Sequence, residues 1–495
     1  MKKENKNFLY NIVYQVFIFI IPLISTPYVS RILGADNIGI YSYTYSIVYY
    51  FMLATMLGIN NYGAREIAKI STLKSKEKLS YSFCSMYYLQ LFTGIIMLLA
   101  YNVISIFFFN KYNTIFLVQN LYLISAILDI NWLFFGLEKF KVTITRNIII
   151  KLISLILIFM FVRGKDDLVI YTFILSLTTL ASQLYLWLVA RKDIRLVKVK
   201  IKDIFSNLKP CIILFIPVIA YSIYRVMDKT MLGAISGTTA LGYYENAEKI
   251  INIPICFINA LGTVMLPSMS KVSDEKEIKD KAFQALKLSM CIITPMFFGI
   301  LAIGKTFSLV FFGNEFRDSG IILNYLAVTI IFSAISNIIR TNLLIPRGKD
   351  KIYVTSTMIG AVINFLINIL LIPKFGYVGA CIGTILAEFS VMAYQLINVK
   401  EFMRVREIIN ISIEYVIKGI IMFAAIILVG MLLKNDVLRI IIQIVTAVII
   451  YFALNYKYLL FEFLGMKKIN KNGGIWELWV KELEAEEKRK EVNFS

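Results

Sequence analysis

Charged side chains set inside apolar runs are the residues of this sequence with chemistry to perform. The apolar run near 210–235 holds Arg225, Asp228 and Lys229, and the next, near 242–266, holds Glu245, Glu248 and Lys249. Asp228 stands three residues after Arg225, a spacing at which two side chains meet on a helix, and that pairing leaves Lys229 uncompensated. Glu245 and Lys249 stand four apart and can pair in the same way. Earlier, Arg31 closes one apolar run, Arg65 and Glu66 close another, and Asp129 lies inside a third. Ionisable groups at bilayer depth are costly and face a partner or a cavity. For Glu66, Glu248 and Arg340, near the ends of their runs, a local ion pair or a snorkelling side chain is the simpler account. Arg31, Arg225 and Lys229 fit the lining of a cavity better. Such a cavity attracts an anionic head group, phosphate above all, which arginine grips bidentately.

Other chemistry is excluded or unsupported. The chain has no histidine, which removes imidazole zinc sites, histidine-based triads and histidine proton relays. Cys84, Cys211, Cys256, Cys291 and Cys381 lie in or beside apolar runs, far apart and without metal or redox spacing, so packing is their expected role. No Walker A loop is present. With no catalytic constellation, the reading is of a protein that is not an enzyme and needs no cofactor or metal.

The elements that must position these charges are membrane helices. The 495 residues are 58% hydrophobic and 17% charged, with a mean hydropathy of +0.72. A helix of about 20 apolar residues crosses a bilayer core of about 30 Å. Fourteen candidate spans fall near 8–30, 38–62, 81–109, 114–137, 147–163, 168–190, 210–235, 242–266, 283–303, 320–344, 352–372, 377–398, 411–433 and 438–460. The first follows a short basic segment without a cleavage site and is expected to be retained. Lysine and arginine concentrate in every second connection, such as Arg191 to Lys209, whereas "GAISGTTALG" after the seventh span has no charge. That alternation puts the even connections and both termini in the cytoplasm. It also accounts for most of the +20 net charge, so nucleic acid is not an expected partner. The expected organisation is a first lobe over 1–190, a basic inter-lobe loop over 191–209, a second lobe over 210–398, two further spans over 399–460 and a tail over 461–495. In the tail, "IWELWVKELEAEEKRK" fits an interfacial amphipathic helix or a solvated end.

A repeat links the two halves. "FIIP" at 19–22 answers "LFIP" at 214–217, "ILG" at 32–34 answers "MLG" at 231–233, "GIY" at 39–41 answers "GYY" at 242–244, and Leu57-Gly58 answers Leu261-Gly262. Parallel repeats suit transporters whose lobes rock about a site near the midplane. Pro22, Pro27 and Pro217 would bend the matching helices, since proline removes a backbone donor.

Three segments carry a family resemblance. "PYVSRILGADNIGIYSYTYSIVYYFMLATMLGINNYGAREIAKI" (27–70), "DINWLFFGLEKFKVTITRNIIIKLISLILIFMFV" (129–162) and "YRVMDKTMLGAISGTTALGYYENAEKI" (224–250) resemble the Wzx-type oligosaccharide flippases of the MOP (MATE-like) exporter superfamily. The resemblance implies an all-α integral membrane protein with two pseudo-symmetric six-helix lobes and two extra C-terminal helices. It implies flipping of undecaprenyl-diphosphate-linked oligosaccharide across the bacterial cytoplasmic membrane by alternating access, for capsule, O-antigen or exopolysaccharide synthesis, beside polysaccharide polymerase machinery. The matching cavity cations are Arg31, Arg65, Arg225 and Lys229, with Arg65 alternatively an anchor at the inner end of its span. Asp129, Asp228 and Glu245 are the candidate coupling or cavity acids. A cation-coupled multidrug antiporter and a peptidoglycan-precursor flippase share the architecture and stay open as alternatives.

Overall fold

The computed structural model describes residues 3–73, 75–270, 274–400 and 403–459, which form sixteen α-helices and no strand. The expected amphipathic tail lies outside the described residues, as does the side chain of Pro217. Helix α1 (Lys3–Met56) joins the first two apolar runs without a loop, its two arms meeting at Gly34, where φ is 76° and ψ is 174°. That conformation belongs to glycine. Pro22 and Pro27 lie within the first arm, so the sharp break of α1 falls at the glycine and not at either proline.

The second run was expected to continue to 62, but α1 stops at Met56. Leu57 and Gly58 both take positive φ, 43° and 78°, and α2 (Ile59–Ser71) sets off in a new direction. A Cβ on Gly58 would lie 2.6 Å from the Cys211 carbonyl oxygen and 2.9 Å from the Phe215 nitrogen. A backbone from the other half of the chain therefore presses on this turn, and only glycine leaves room.

Helices α3 (Lys76–Phe108), α4 (Asn113–Ile127), α5 (Asn131–Gly136), α6 (Phe140–Phe161) and α7 (Leu168–Ala190) complete the first half. Trp132 of α5 anchors its core: fully buried, it stacks on Phe83 at 5.1 Å and donates from Nε1 to Gln90 Oε1 at 3.2 Å. The basic connection after α7 contains α8 (Ile201–Ser206) and lies strapped along α3. The Arg195 nitrogen donates to Ser80 Oγ, the Tyr88 hydroxyl to the Val197 carbonyl, and the Tyr81 hydroxyl to Asp203 Oδ2.

The second half holds α9 (Leu208–Ile235), α10 (Thr238–Ser270), α11 (Glu275–Phe312), α12 (Arg317–Ile339), α13 (Asp350–Phe375) and α14 (Tyr377–Asn398), followed by α15 (Val405–Met431) and α16 (Asp436–Lys457). The glycine that corresponds to Gly34 is Gly237, with φ 92°, not Gly233 as the sequence match suggested. Helix α9 runs on past Gly233, whose bare Cα leaves room for the Tyr43 ring: a Cβ there would lie 2.5 Å from Tyr43 Cδ2. Gly262 likewise stays inside α10, so this half has no counterpart of the break at Gly58.

Ten helices among the described residues are long and apolar enough to cross a membrane. Their outward faces carry side chains such as Leu99, Phe108 and Met431, 63%, 77% and 75% exposed. Each would cost about 1.5–3 kcal/mol in water relative to an apolar surrounding. The chain is a multi-pass helical membrane protein.

Candidate functional site

The two halves meet where the second arm of α1 crosses α10. A Cβ on Gly39 would lie 1.7 Å from the Thr238 carbonyl oxygen, and one on Gly242 would lie 1.9 Å from that of Ala35. Each glycine meets the residue four places before its counterpart, the reciprocal pattern of a two-fold contact. Polar groups lock the same end. Asp36 Oδ1 accepts from the Thr238 and Thr239 hydroxyls at 2.5 and 3.0 Å. Glu315 Oε1 accepts from the Ala35 nitrogen at 3.1 Å, and Arg31 Nη2 donates to the Val310 carbonyl at 2.5 Å.

Below this crossing Lys229 is not the uncompensated cation expected from its spacing. Its Nζ lies 2.8 Å from both Glu245 Oε2 and Glu248 Oε2. Glu245 also accepts from Ser42 at 2.7 Å and stands 3.7 Å from Lys249, the pair foreseen at four residues' separation. Two lysines and two glutamates close into a neutral cluster across the seam between α1, α9 and α10. Glu248, expected to pair only locally, is a full member of it. Asp228, one residue away, turns into the second half: its carboxylate accepts from Asn368 Nδ2 at 2.5 Å, the Thr384 hydroxyl at 2.6 Å and the Tyr244 hydroxyl at 3.1 Å. Asn364 and Asn368, which share a face of α13, are both fully buried in this group.

The four cations singled out from the sequence are therefore dispersed. Arg31 bridges α1 to the end of α11. Arg65 sits on α2, its Nε 3.8 Å from Glu66 and its guanidinium 5.8 Å from the centre of the Tyr62 ring. Lys229 belongs to the neutral cluster. Arg225 reaches Asn252 Oδ1 at 2.8 Å and lines a polar pocket between α9, α10, α12, α13 and α14 with Arg340.

Among the described residues, a larger cavity lies in the first half and is lined by cations that the sequence does not single out. It measures about 570 Å³ between α1, α2, α4, α5, α6 and α7. A neighbouring space of about 300 Å³ shares Asn60, Asn61, Asp129, Thr179 and Gln183 with it and reaches Phe215 and Val218 of α9. Arg146 is 5% exposed and stands in the wall. Its guanidinium donates to Asn147 Oδ1 at 2.6 Å, Asn131 Oδ1 at 3.0 Å, the Ser182 carbonyl at 3.3 Å and Gln183 Oε1 at 3.4 Å. Lys151 lines the same cavity and makes no ion pair among the described residues. Asp129, the one acid in the wall, stands at the break between α4 and α5 and accepts from the backbone and side chain of Asn131 at 2.8 and 2.6 Å. Two cations against one acid leave the cavity net positive, in a ring of amides, hydroxyls and the tyrosines Tyr45 and Tyr122. A signal existed in the sequence: Asn147, Lys151 and Ser154 recur at helical spacing within an apolar run.

Among the described residues no group of acids and cysteines is arranged to hold a metal ion. Residues 5–273 match the model of the family described as polysaccharide biosynthesis protein. The chain is 25% identical over 389 residues to a putative O-antigen transporter of Shigella dysenteriae, covering 77% of this chain and 96% of that protein. Among solved structures it superposes on the lipid II flippase MurJ in an inward closed conformation, with a TM-score of 0.71 at 17% identity over 92% of this chain and 99% of the other. It also superposes on an inward-facing multidrug resistance MATE family transporter of the MOP superfamily, with a TM-score of 0.59 at 12% identity over 82% and 95% of the two chains. Both structural likenesses establish the fold.

Proposed function

The chain belongs to the polysaccharide biosynthesis protein family, and on that premise we propose that it is a flippase for lipid-linked oligosaccharide. It carries undecaprenyl-diphosphate-linked repeat units across the bacterial cytoplasmic membrane for capsule, O-antigen or exopolysaccharide assembly, delivering them to polymerase machinery. The observation that carries this reading is the net-positive, amide-rich cavity with Arg146 and Lys151 in its wall. A diphosphate entering at membrane depth loses its hydration, and cations and amide donors already fixed there replace it. Arg146 offers a planar fork for the phosphate oxygens and Lys151 a mobile point charge.

The working architecture is fourteen spans, two six-helix lobes with α15 and α16 added, and both termini in the cytoplasm. With the α1–α10 crossing shut and the cavity extending to the α1–α2 break, the arrangement fits an inward-facing state of an alternating-access cycle. Of the cations read from the sequence, we keep Arg225 on the substrate path in the second lobe. We assign Arg31 to the seam, Arg65 to anchoring the inner end of its span, and Lys229 with Glu245 to the ion cluster between lobes. Asp228, held by neutral groups, is the acid we assign to ion coupling, and Asp129 the acid that shapes the cavity.

The same cavity would serve a peptidoglycan lipid precursor, whose diphosphate is identical and whose sugars differ. Export of small organic cations fits less well, because Arg146 and Lys151 would repel them. The test is transport in a strain lacking this protein. Wild type restores export of the lipid-linked repeat unit, and Arg146→Gln or Lys151→Gln at equal protein level leaves it accumulating inside. Each lost charge-assisted hydrogen bond removes about 1.5–3 kcal/mol, a drop of roughly tenfold or more. Unimpaired export in both variants rejects the cavity as the substrate site. Accumulation of peptidoglycan precursor instead identifies the other cargo.

A further inference from the structure

The basic connection between the halves presents a face that the transport site does not use. Residues 194–200 run along α3 without regular structure and lead into α8. Ile194 is buried in the core of the first half, and Val197 and Val199 pack against that core. The residues between them turn outward, so that Arg195, Lys198 and Lys200 are exposed, and Lys202 follows on α8. These four cations make no ion pair among the described residues. The two acids of the connection are engaged already, Asp193 by Lys139 Nζ at 2.5 Å and Asp203 by the Tyr81 hydroxyl at 2.6 Å. Among the cations stand three large apolar side chains, Leu196, Ile201 and Phe205, 64%, 73% and 44% exposed.

The backbone carrying this face is fixed. Besides its bonds to Ser80, Tyr81 and Tyr88, the Val197 nitrogen donates to Cys84 Sγ at 3.4 Å, and the Cys84 thiol donates to the Arg195 carbonyl at 3.6 Å. Asn207, at the far end, donates to Ser85 Oγ at 3.3 Å and accepts from the Tyr62 hydroxyl at 3.2 Å. A surface ordered in advance loses little freedom when it meets a partner.

Helix α3 gives the depth of the face. It has 33 residues and is about 50 Å long at 1.5 Å per residue, whereas a bilayer core is about 30 Å thick. Its exposed apolar side chains run from Phe92 to Phe108, and its only charges, Lys76, Glu77 and Lys78, stand at the other end. The surplus length therefore lies before Phe92, at the level of the lipid head groups. The connection bonds to that part of α3, through Ser80, Tyr81, Cys84 and Tyr88. Phe205 meets Phe92 edge to face at 5.6 Å, where α3 enters the acyl layer.

We propose that this face docks anionic phospholipid of the inner leaflet. Arg195, Lys198, Lys200 and Lys202 meet the lipid phosphates, while Leu196, Ile201 and Phe205 enter among the first acyl carbons. Positive charge orients a connection whatever its conformation. Here the bonds to α3 add a fixed spacing of cations and apolar groups that holds lipid beside the first half. The surface is separate from the first-half cavity and does not depend on which cargo is carried.

The experiment uses the full chain in nanodiscs, with a fluorophore on Ser206→Cys in a background without other cysteines, Ser206 being exposed on α8. A nitroxide near the head group is carried by a small fraction of either phosphatidylglycerol or phosphatidylcholine in a phosphatidylcholine bilayer. In wild type the phosphatidylglycerol quencher is expected to be about threefold or more as effective as the other at equal mole fraction. Salt at about 1 M, with a screening length of about 3 Å, removes most of that excess. Lys198→Gln combined with Lys200→Gln and Lys202→Gln brings the ratio near unity. Lys276→Gln with Lys351→Gln, exposed on two other basic connections, leaves it as in wild type. Tyr81→Phe with Tyr88→Phe keeps every charge but releases the connection from α3, and lowers the ratio about twofold. Equal quenching by the two lipids in wild type overturns the proposal and leaves the face to an acidic protein partner. An undiminished ratio in the triple glutamine variant overturns it as well. An undiminished ratio in the double phenylalanine variant shows that charge alone suffices and rejects the fixed surface.

Discussion

At the scale of single residues, a cation in a membrane helix is defined by its neighbours. Lys229 and Lys151 both look like lone charges in apolar runs. Lys229 lies between two glutamates at 2.8 Å, and Lys151 faces an open cavity. The two therefore respond differently to the same change. Lys229→Gln leaves Glu245 and Glu248 as adjacent buried acids, and removing one partner of a buried pair costs about 3–5 kcal/mol. The expected result is a clear fall in the thermal unfolding temperature of the purified protein, reversed in large part by Lys229→Gln with Glu248→Gln. Lys151→Gln is expected to unfold at or above the wild-type temperature, because it removes an unpaired charge. A stable Lys229→Gln protein would return that lysine to the substrate path.

At the scale of elements, glycine decides how close the halves can come. Gly39→Ala places a methyl group where a Cβ would lie 1.7 Å from the Thr238 carbonyl, so α1 and α10 must separate at that end. We expect Gly39→Ala and Gly242→Ala each to raise the rate at which an external thiol reagent modifies a cysteine placed at Ala35. An unchanged rate would mean that the crossing relaxes by sliding and does not gate. Of the prolines, Pro22 and Pro27 lie on α1 and Pro217 on α9. Pro22 lines an apolar groove of about 190 Å³ with Leu23, Ile250, Ile253 and Phe311, between the two halves. If Pro22, Pro27 and Pro217 bend helices that move against each other, alanine at each slows transport about severalfold while the protein stays in the membrane, since a proline bend costs a backbone hydrogen bond that alanine restores. Full transport rates in all three variants would reduce the prolines to packing.

At the scale of the whole molecule, the charge alternation makes a topological prediction. In a background without other cysteines, Ser236→Cys should react with an impermeant reagent from outside and Lys192→Cys only after the inner face is exposed. Reaction of both from one side would refute the fourteen-span arrangement. The strap that follows α7 matters here too. With Arg195, Val197 and Asp203 bonded to α3, the connection between halves is a fixed part of the first half, and relative motion must be taken up at α9 and at the α1–α10 crossing.

The sequence by itself determined the membrane class, the helical runs and the repeat, because hydropathy and spacing are local properties that any neighbour must respect. It also located Gly39 and Gly242, since a pattern that occurs twice is visible without coordinates. Charge partnership lay beyond it. Arg146 follows a basic stretch and reads as a loop residue, yet α6 begins at Phe140 and carries its guanidinium into the first-half cavity. Asp228 has Arg225 at helical spacing, but its carboxylate accepts from Tyr244, Asn368 and Thr384, the last two from helices more than 130 residues away. The same holds for backbone breaks: the Leu-Gly pair is identical at 57–58 and 261–262, yet α9 presses on the first, while Asn337 and Thr341 at the end of α12 nest against the second. Spacing along one helix lists the pairs that are sterically allowed, and only the packing of distant helices selects the lower-energy partner among them.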